Sequence, residues 1–184
     1  MASIRKSIAR DCRTVHCGAL DFAKKIARLI SDVNHHKWDI PNLDEEDMRD
    51  FRRNEGERVW QYLLAYGRTF AKNVKYSPRC WVMTEENFEN CVHAMMQKTG
   101  YHKGKFGKED LFRICAHILV IATWFFHNYI EIKMDTVIDV VYHMTLRMLN
   151  RTPIYASNWT VKRRKKHLPT PARFKRFILK QGTR

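Results

Sequence analysis

Nine histidines and five cysteines are the side chains of this 184-residue chain best suited to hold a metal or to act as acid, base or nucleophile. Their spacing argues against each use. His35, His36, His93, His102, His117, His127 and His143 fall on separate segments, with no HExxH-like pair that would place two imidazoles on one helical face. Cys12, Cys17, Cys80, Cys91 and Cys115 are odd in number and form no CxxC pair. Cys91 and Cys115 stand in apolar stretches, where a reduced cysteine acts as a small hydrophobe, so a reducing compartment is expected. No Ser/His/Asp order, nucleophile elbow, dinucleotide-binding turn or carboxylate pair can be read. The basic, glycine-punctuated loop at 100–107 imitates a phosphate cradle but lacks the GKS or GKT ending and a preceding strand. His117, inside the most apolar stretch, reads as a core histidine with its hydrogen bonds satisfied. The chemistry-bearing residues therefore predict a non-enzymatic protein with no metal and no cofactor.

Charge is the other functional signal. The formal net charge is +15, and ten of the lysines and arginines lie in residues 160–184, which contain no acid. The remainder carries only +5. A tail of this kind, with Phe174 and Phe177 among its basic residues, is read as a solvated extension, an amphipathic membrane-surface segment or a nucleic-acid contact. Trp60, Trp81, Trp124 and Trp159 are spread one to a segment, the distribution of core anchors and not of a base-stacking platform. Residues 1–20 show no apolar signal core, so the sequons at Asn150 and Asn158 are expected to stay unglycosylated.

These residues need elements to position them, and hydrophobic periodicity supplies helices throughout. Residues 111–129 (LFRICAHILVIATWFFHNY) are apolar on nearly every side. Such a helix must be wrapped by others, because its uninterrupted apolar run falls short of the ~20 residues that a membrane span needs. Leu20, Ala23, Ile26, Ala27, Ile30 and Val33 give an amphipathic helix over 19–36, and residues 1–17, basic and weakly patterned, are assigned no structure. Val59, Leu63, Tyr66, Phe70 and Val74 give one long helix over 46–75, with Gly67 inside it. Thr84 caps a shorter helix over 84–96, whose face is Phe88, Cys91, Val92, Met95 and Met96. Asp110 is placed to cap the central helix. Residues 130–150, with Met134, Val137, Ile138, Val141, Tyr142, Thr145 and Met148 on one face, are expected to return against it as an antiparallel hairpin. The expected fold is a single all-α domain over 18–161, with a basic N-terminal extension at 1–17 and a basic tail at 162–184.

The order of these elements resembles the B-cell lymphoma-two (Bcl-two) family of apoptosis regulators. Leu20-Asp21-Phe22 followed by Trp38 is similar to the family's fourth homology region. Val59, Leu63, Gly67 and Phe70 reproduce its third region, in which leucine is followed by glycine four positions on and by an aromatic seven on. Residues 84–96 resemble the helix leading into the first region. Asp110-Leu111-Phe112-Arg113 stands where that region reads Asn-Trp-Gly-Arg, keeping the arginine and not Trp-Gly. Asn158-Trp159-Thr160 is similar to the second region without its glycines.

The resemblance implies a bundle of seven or eight helices around a buried central hairpin. It also implies a hydrophobic groove, here lined by Phe70, Val74, Phe88, Cys91, Met95, Arg113 and Ala116, that receives amphipathic helices of pro-apoptotic family members. The third region's acid is replaced by Arg68, while the groove arginine, Arg113, is kept. This makes a pro-survival receptor the expectation, with a pro-apoptotic member or a basic helical protein binding nucleic acid through its tail as alternatives. The family's C-terminal anchor has no counterpart, because only Phe177-Ile178-Leu179 is apolar near the end. A cytoplasmic protein, at most peripheral at anionic surfaces such as the mitochondrial outer membrane, is expected.

Overall fold

The computed structural model describes the backbone over residues 2–75, 84–99 and 107–151, and side chains over 15–72, 84, 86–97 and 107–149. The protein is all-α. Among the described residues there are six α-helices, one short 3-10 turn and no strand: α1 (Ala2–Asn34), α2 (Glu45–Arg53), α3 (Glu55–Lys75), the turn Glu85–Asn87, α4 (Phe88–Thr99), α5 (Lys108–His127) and α6 (Met134–Arg151).

Two helices differ from the sequence expectation. The first begins at Ala2 and not at Ala19, so the weakly patterned basic stretch is helical as well. The helix expected over 46–75 is two, broken at Asn54, whose backbone (φ −114°, ψ −90°) leaves the helical region. Asp44 caps α2 by accepting the Asp47 amide at 2.7 Å, and Glu45, Glu46 and Asp47 in its first turn with Arg52 and Arg53 in its last complement the helix dipole. The side chain of Asn54 donates to the Asp50 carbonyl at 2.9 Å. Gly56 then allows α3 to start against α2, because a Cβ there would lie 3.2 Å from the Phe51 carbonyl oxygen and 3.3 Å from its ring.

α5 lies at the centre and touches α1, α3, α4 and α6. Nearly every residue from Leu111 to Phe125 is buried, and its one buried hydroxyl, Thr123, donates to the Leu119 carbonyl at 2.8 Å within the same helix. By length and composition α5 could cross a membrane, but most of it is packed inside the protein. α5 begins at Lys108, earlier than expected, with Gly107 at the N-cap, and Asp110, inside its first turn and not before it, accepts the Gly107 amide at 3.1 Å.

The pairing of helices is the larger difference. α5 packs most extensively on α3, and α6 on α1, so the consecutive helices α5 and α6 touch but are not the principal pair. His16 on α1 meets Tyr142 on α6 at 2.6 Å, and His36, just beyond α1, meets Glu131, just before α6, at 3.6 Å. α1 and α6 therefore run antiparallel. At the far end the His36 ring lies 5.0 Å from that of Phe126 and 5.6 Å from that of Trp38, which ties the α1–α2 connection to the end of α5. Asp32 joins α1 to α2 by receiving both Arg28 and Arg52.

Candidate partner-binding site

The seam between α3 and α5 holds a group of charged and aromatic side chains in mutual contact. Tyr62, Tyr66 and Phe70 recur every four residues on α3, so helical geometry sets them in one row. Their rings stack with centroids 6.2 Å and 6.0 Å apart. Glu109, Arg113 and His117 recur at the same spacing on α5. The Tyr62 hydroxyl donates to Glu109 at 2.8 Å, the Arg113 guanidinium stands 5.2 Å from the Tyr62 ring and 5.9 Å from the Tyr66 ring, and the His117 ring centroid is 3.3 Å from that of Phe70. The contacts follow the same order along both helices, which therefore run parallel.

Charge in this seam is balanced locally. Arg58 approaches Glu109 at 4.0 Å, and Arg113 approaches Asp110, one turn back on its own helix, at 3.8 Å. Arg113 keeps 36% of its side chain exposed and Asp110 31%. The Tyr62 phenol is held above its ordinary pKa by burial and then by Glu109. Burial lowers the pKa of Lys108, whose ammonium lies 5.6 Å over the Phe112 ring. His117 is pushed down to about 3, chiefly by burial, with the nearby Arg113 charge acting the same way and a hydrogen bond to the Arg113 backbone opposing it. Its imidazole is neutral at physiological pH, as suits the core position expected for it.

The residues expected to line a groove do not line an open one here. Phe70, Phe88, Cys91, Met95 and Ala116 are all buried, and Phe88, with 0% of its surface exposed, packs edge-on against Phe125 at 5.4 Å. Periodicity marks these positions as apolar and facing inward, but it does not separate a groove wall from a closed core. Val59 and Leu63 are core residues, and Gly67 is buried between them and Phe70. The side chain of Val74 lies outside the described residues, as do Trp159, the loop at 100–106 and the tail at 162–184. Among the described residues of the expected set, Arg113 alone reaches the surface.

Tyr62 was not among the residues singled out by sequence, whereas Glu109 and Asp110 are the acids that helical spacing offers Arg113 as salt-bridge partners, and Tyr66, on the apolar face by spacing, is 45% exposed. The four-residue spacing of Tyr62, Tyr66 and Phe70 is the signal that marks them. Among the described residues no group of three His, Cys, Asp or Glu could hold a metal ion. Cys91 and Cys115 are buried free thiols and Cys17 an exposed one, with burial holding the Cys115 thiol far above its ordinary pKa. Cys12 and Cys80 lie outside the described side chains.

Comparison with protein-family models, with curated proteins and with solved structures finds no match to this chain. The function rests on the residues themselves. An arginine flanked by two tyrosines has the composition of an interface hot spot.

Proposed function

We propose that the protein is a Bcl-two-like receptor that acts without catalysis, sequestering amphipathic helices of pro-apoptotic partners and so favouring survival. In this reading the bundle comprises seven or eight helices, and the protein works in the cytoplasm with at most peripheral attachment of its basic tail to anionic membranes. The order of the third-region and first-region motifs along an all-α chain supports it. The single observation that carries it is Arg113: a charged residue near the start of the most buried helix that remains at the surface, set against the α3 face that carries the third-region motif.

A helix-in-groove receptor gains affinity from three or four apolar anchors at i, i+3 or i+4, and i+7. Each buries roughly 1.5–3 kcal/mol of apolar side chain, against the costs of association and of ordering the peptide. Here Phe70, Phe88, Cys91, Met95 and Ala116 are covered, so α4, a twelve-residue helix, must shift from α5 before a ligand reaches them. The observed affinity is then the intrinsic one reduced by the fraction of molecules that are open. Arg113 receives the ligand's acid at the rim.

The test is titration of the full chain with a panel of third-region peptides, alongside the same peptides with their apolar anchors replaced by alanine. Binding at about micromolar concentration or tighter, lost with the anchors and accompanied by faster hydrogen exchange in α4, is expected. If no peptide binds at that concentration the reading fails. Steeply salt-dependent binding to DNA or RNA that disappears on removal of residues 162–184 would support the nucleic-acid alternative instead.

A further inference from the structure

Arg113 is not waiting for a counter-ion, because Asp110 supplies one. Nη1 of Arg113 lies 3.8 Å from Oδ1 of Asp110, while Oδ2 of the same carboxylate accepts the Gly107 amide at 3.1 Å. The second contact fixes the carboxylate against the start of α5, so it does not swing away when something else approaches the arginine. On its other side the guanidinium is confined by the rings of Tyr62 and Tyr66, 5.2 Å and 5.9 Å away. Glu109 adds a second carboxylate nearby, held by the Tyr62 hydroxyl at 2.8 Å and by Arg58 at 4.0 Å. Arg58 and Arg113 against Glu109 and Asp110 leave this cluster with no net charge.

We propose that Asp110 is a specificity-determining residue: as the resident counter-ion of Arg113 it suppresses the advantage of a partner helix that presents a carboxylate, and so admits partners with a neutral residue there. This rests on the receptor reading above. The physical reason is that a carboxylate arriving at Arg113 meets attraction from the guanidinium and repulsion from Asp110 over similar distances. At the partly exposed rim the two terms are of similar size and largely cancel. The net contribution left to an acid is then a short-range hydrogen bond, made in place of one to water. A neutral residue at the same place forfeits little.

Asp110→Asn isolates the charge, because the asparagine carbonyl can still accept the Gly107 amide while the negative charge is gone. The experiment measures affinity of wild type and Asp110→Asn for one amphipathic third-region peptide carrying aspartate at the Arg113-facing position, and for the same peptide with alanine there. Wild type should prefer the acid by less than about threefold. Asp110→Asn should prefer it by about tenfold or more, through tighter binding of the acidic peptide with the alanine peptide unchanged. Adding Arg113→Gln should return the preference to the wild-type value, and 1 M salt should shrink it. Equal preferences in wild type and Asp110→Asn overturn this inference alone. A wild-type preference above about tenfold overturns it without any variant, which covers the case in which Asp110→Asn does not fold. If neither protein binds either peptide, the receptor reading fails and this inference with it.

Discussion

The seam between α1 and α6 and the seam between α3 and α5 are the two most extensive helix contacts in the protein, and they are made of different material. α1 buries Ala19, Ala23, Ala27 and Ile30, and α6 buries Val137, Val141, Met144 and Met148. Small side chains at four-residue spacing let a neighbouring helix approach closely, so these faces gain their energy from apolar area and dispersion. The buried polar groups of this seam turn to their own helices, Thr145 donating to the Val141 carbonyl at 2.8 Å and Asn34 to the Ile30 carbonyl at 2.8 Å, and the partly exposed pair His16 and Tyr142 meets across it at 2.6 Å. α3 also buries Val59, Leu63 and Phe70, yet along its rim it carries Tyr62 and Tyr66 against Glu109 and Arg113. One seam holds the fold together. The other also carries a partly exposed rim of aromatic and charged side chains, which is the surface the proposed function uses.

A charge buried in each seam should separate them most sharply. Val141→Asp puts a carboxylate at a fully buried position of α6 with no basic partner, and should destabilise by about 4 kcal/mol or more, enough to unfold a domain of ordinary stability. Tyr66→Asp, on the exposed rim of α3, should change stability by no more than about 1 kcal/mol. Urea denaturation followed by circular dichroism measures both. Equal effects would remove the distinction between a structural and a recognition seam.

The next largest effect falls on the histidine buried in the α3–α5 contact. His117 has a folded-state pKa near 3, against 6.5 in the absence of burial. Below pH 6.5 the unfolded chain therefore binds a proton that the folded protein refuses, and stability falls as pH falls until about pH 3. The slope approaches about 1.4 kcal/mol per pH unit, so His117 alone should account for about 2 to 3 kcal/mol lost between pH 6.5 and 4.5. Carboxylates contribute in the same range, and the measurement is accordingly the difference between wild type and His117→Leu across that interval. Parallel curves would mean that the imidazole is solvated and the seam open at that point.

The two seams were also unequally legible in sequence. The apolar helix at 111–129 was plain because a continuous run with few charges has no surface on which to lie. The faces of α1 after Ala19 and of α6 followed from spacing alone. Residues 2–17 did not read as helix because charges come every few residues and the stripe Ile4, Ile8, Cys12 and Val15 is narrow, although its spacing runs on into the face that begins at Ala19. The break at Asn54 was missed because the apolar spacing of α3 begins only at Val59, and Glu46 to Asn54 reads as a polar lead-in to the same helix. Which helices pair was not readable either, since every buried face is apolar and many pairings would satisfy it. At the candidate site Arg113 was found through the resemblance. Of its surroundings, the acids Glu109 and Asp110 follow from helical spacing, but the tyrosines do not: Tyr62 carries no mark in the pattern and Tyr66 falls on the apolar face. Periodicity reports which way a side chain leans, and a tyrosine leaning toward a rim can keep half its ring in water.

The smallest expected effect concerns the hydrogen bond that closes the α3–α5 rim. Tyr62 donates to Glu109 across the seam at 2.8 Å, and Glu109 is also approached by Arg58 at 4.0 Å with about half its side chain exposed. A bond to a carboxylate can contribute more than a neutral one, but here water competes for both partners and salt screens the ion pair. Tyr62→Phe should thus lower stability by about 0.5 to 1 kcal/mol, and Glu109→Gln by less, because the glutamine oxygen can still accept the phenol. In a double-mutant cycle with Glu109→Ala the coupling should fall between about 0.2 and 1 kcal/mol. A coupling above about 2 kcal/mol would show that the rim is as firmly held as the α1–α6 seam, and the contrast between a fixed side and a recognising side would then be wrong. A coupling in the expected range, weakened by 1 M salt, leaves the rim as the part of the molecule that a partner could rearrange at least cost, with Tyr62 and Tyr66 free to turn while the helices behind them stay in place.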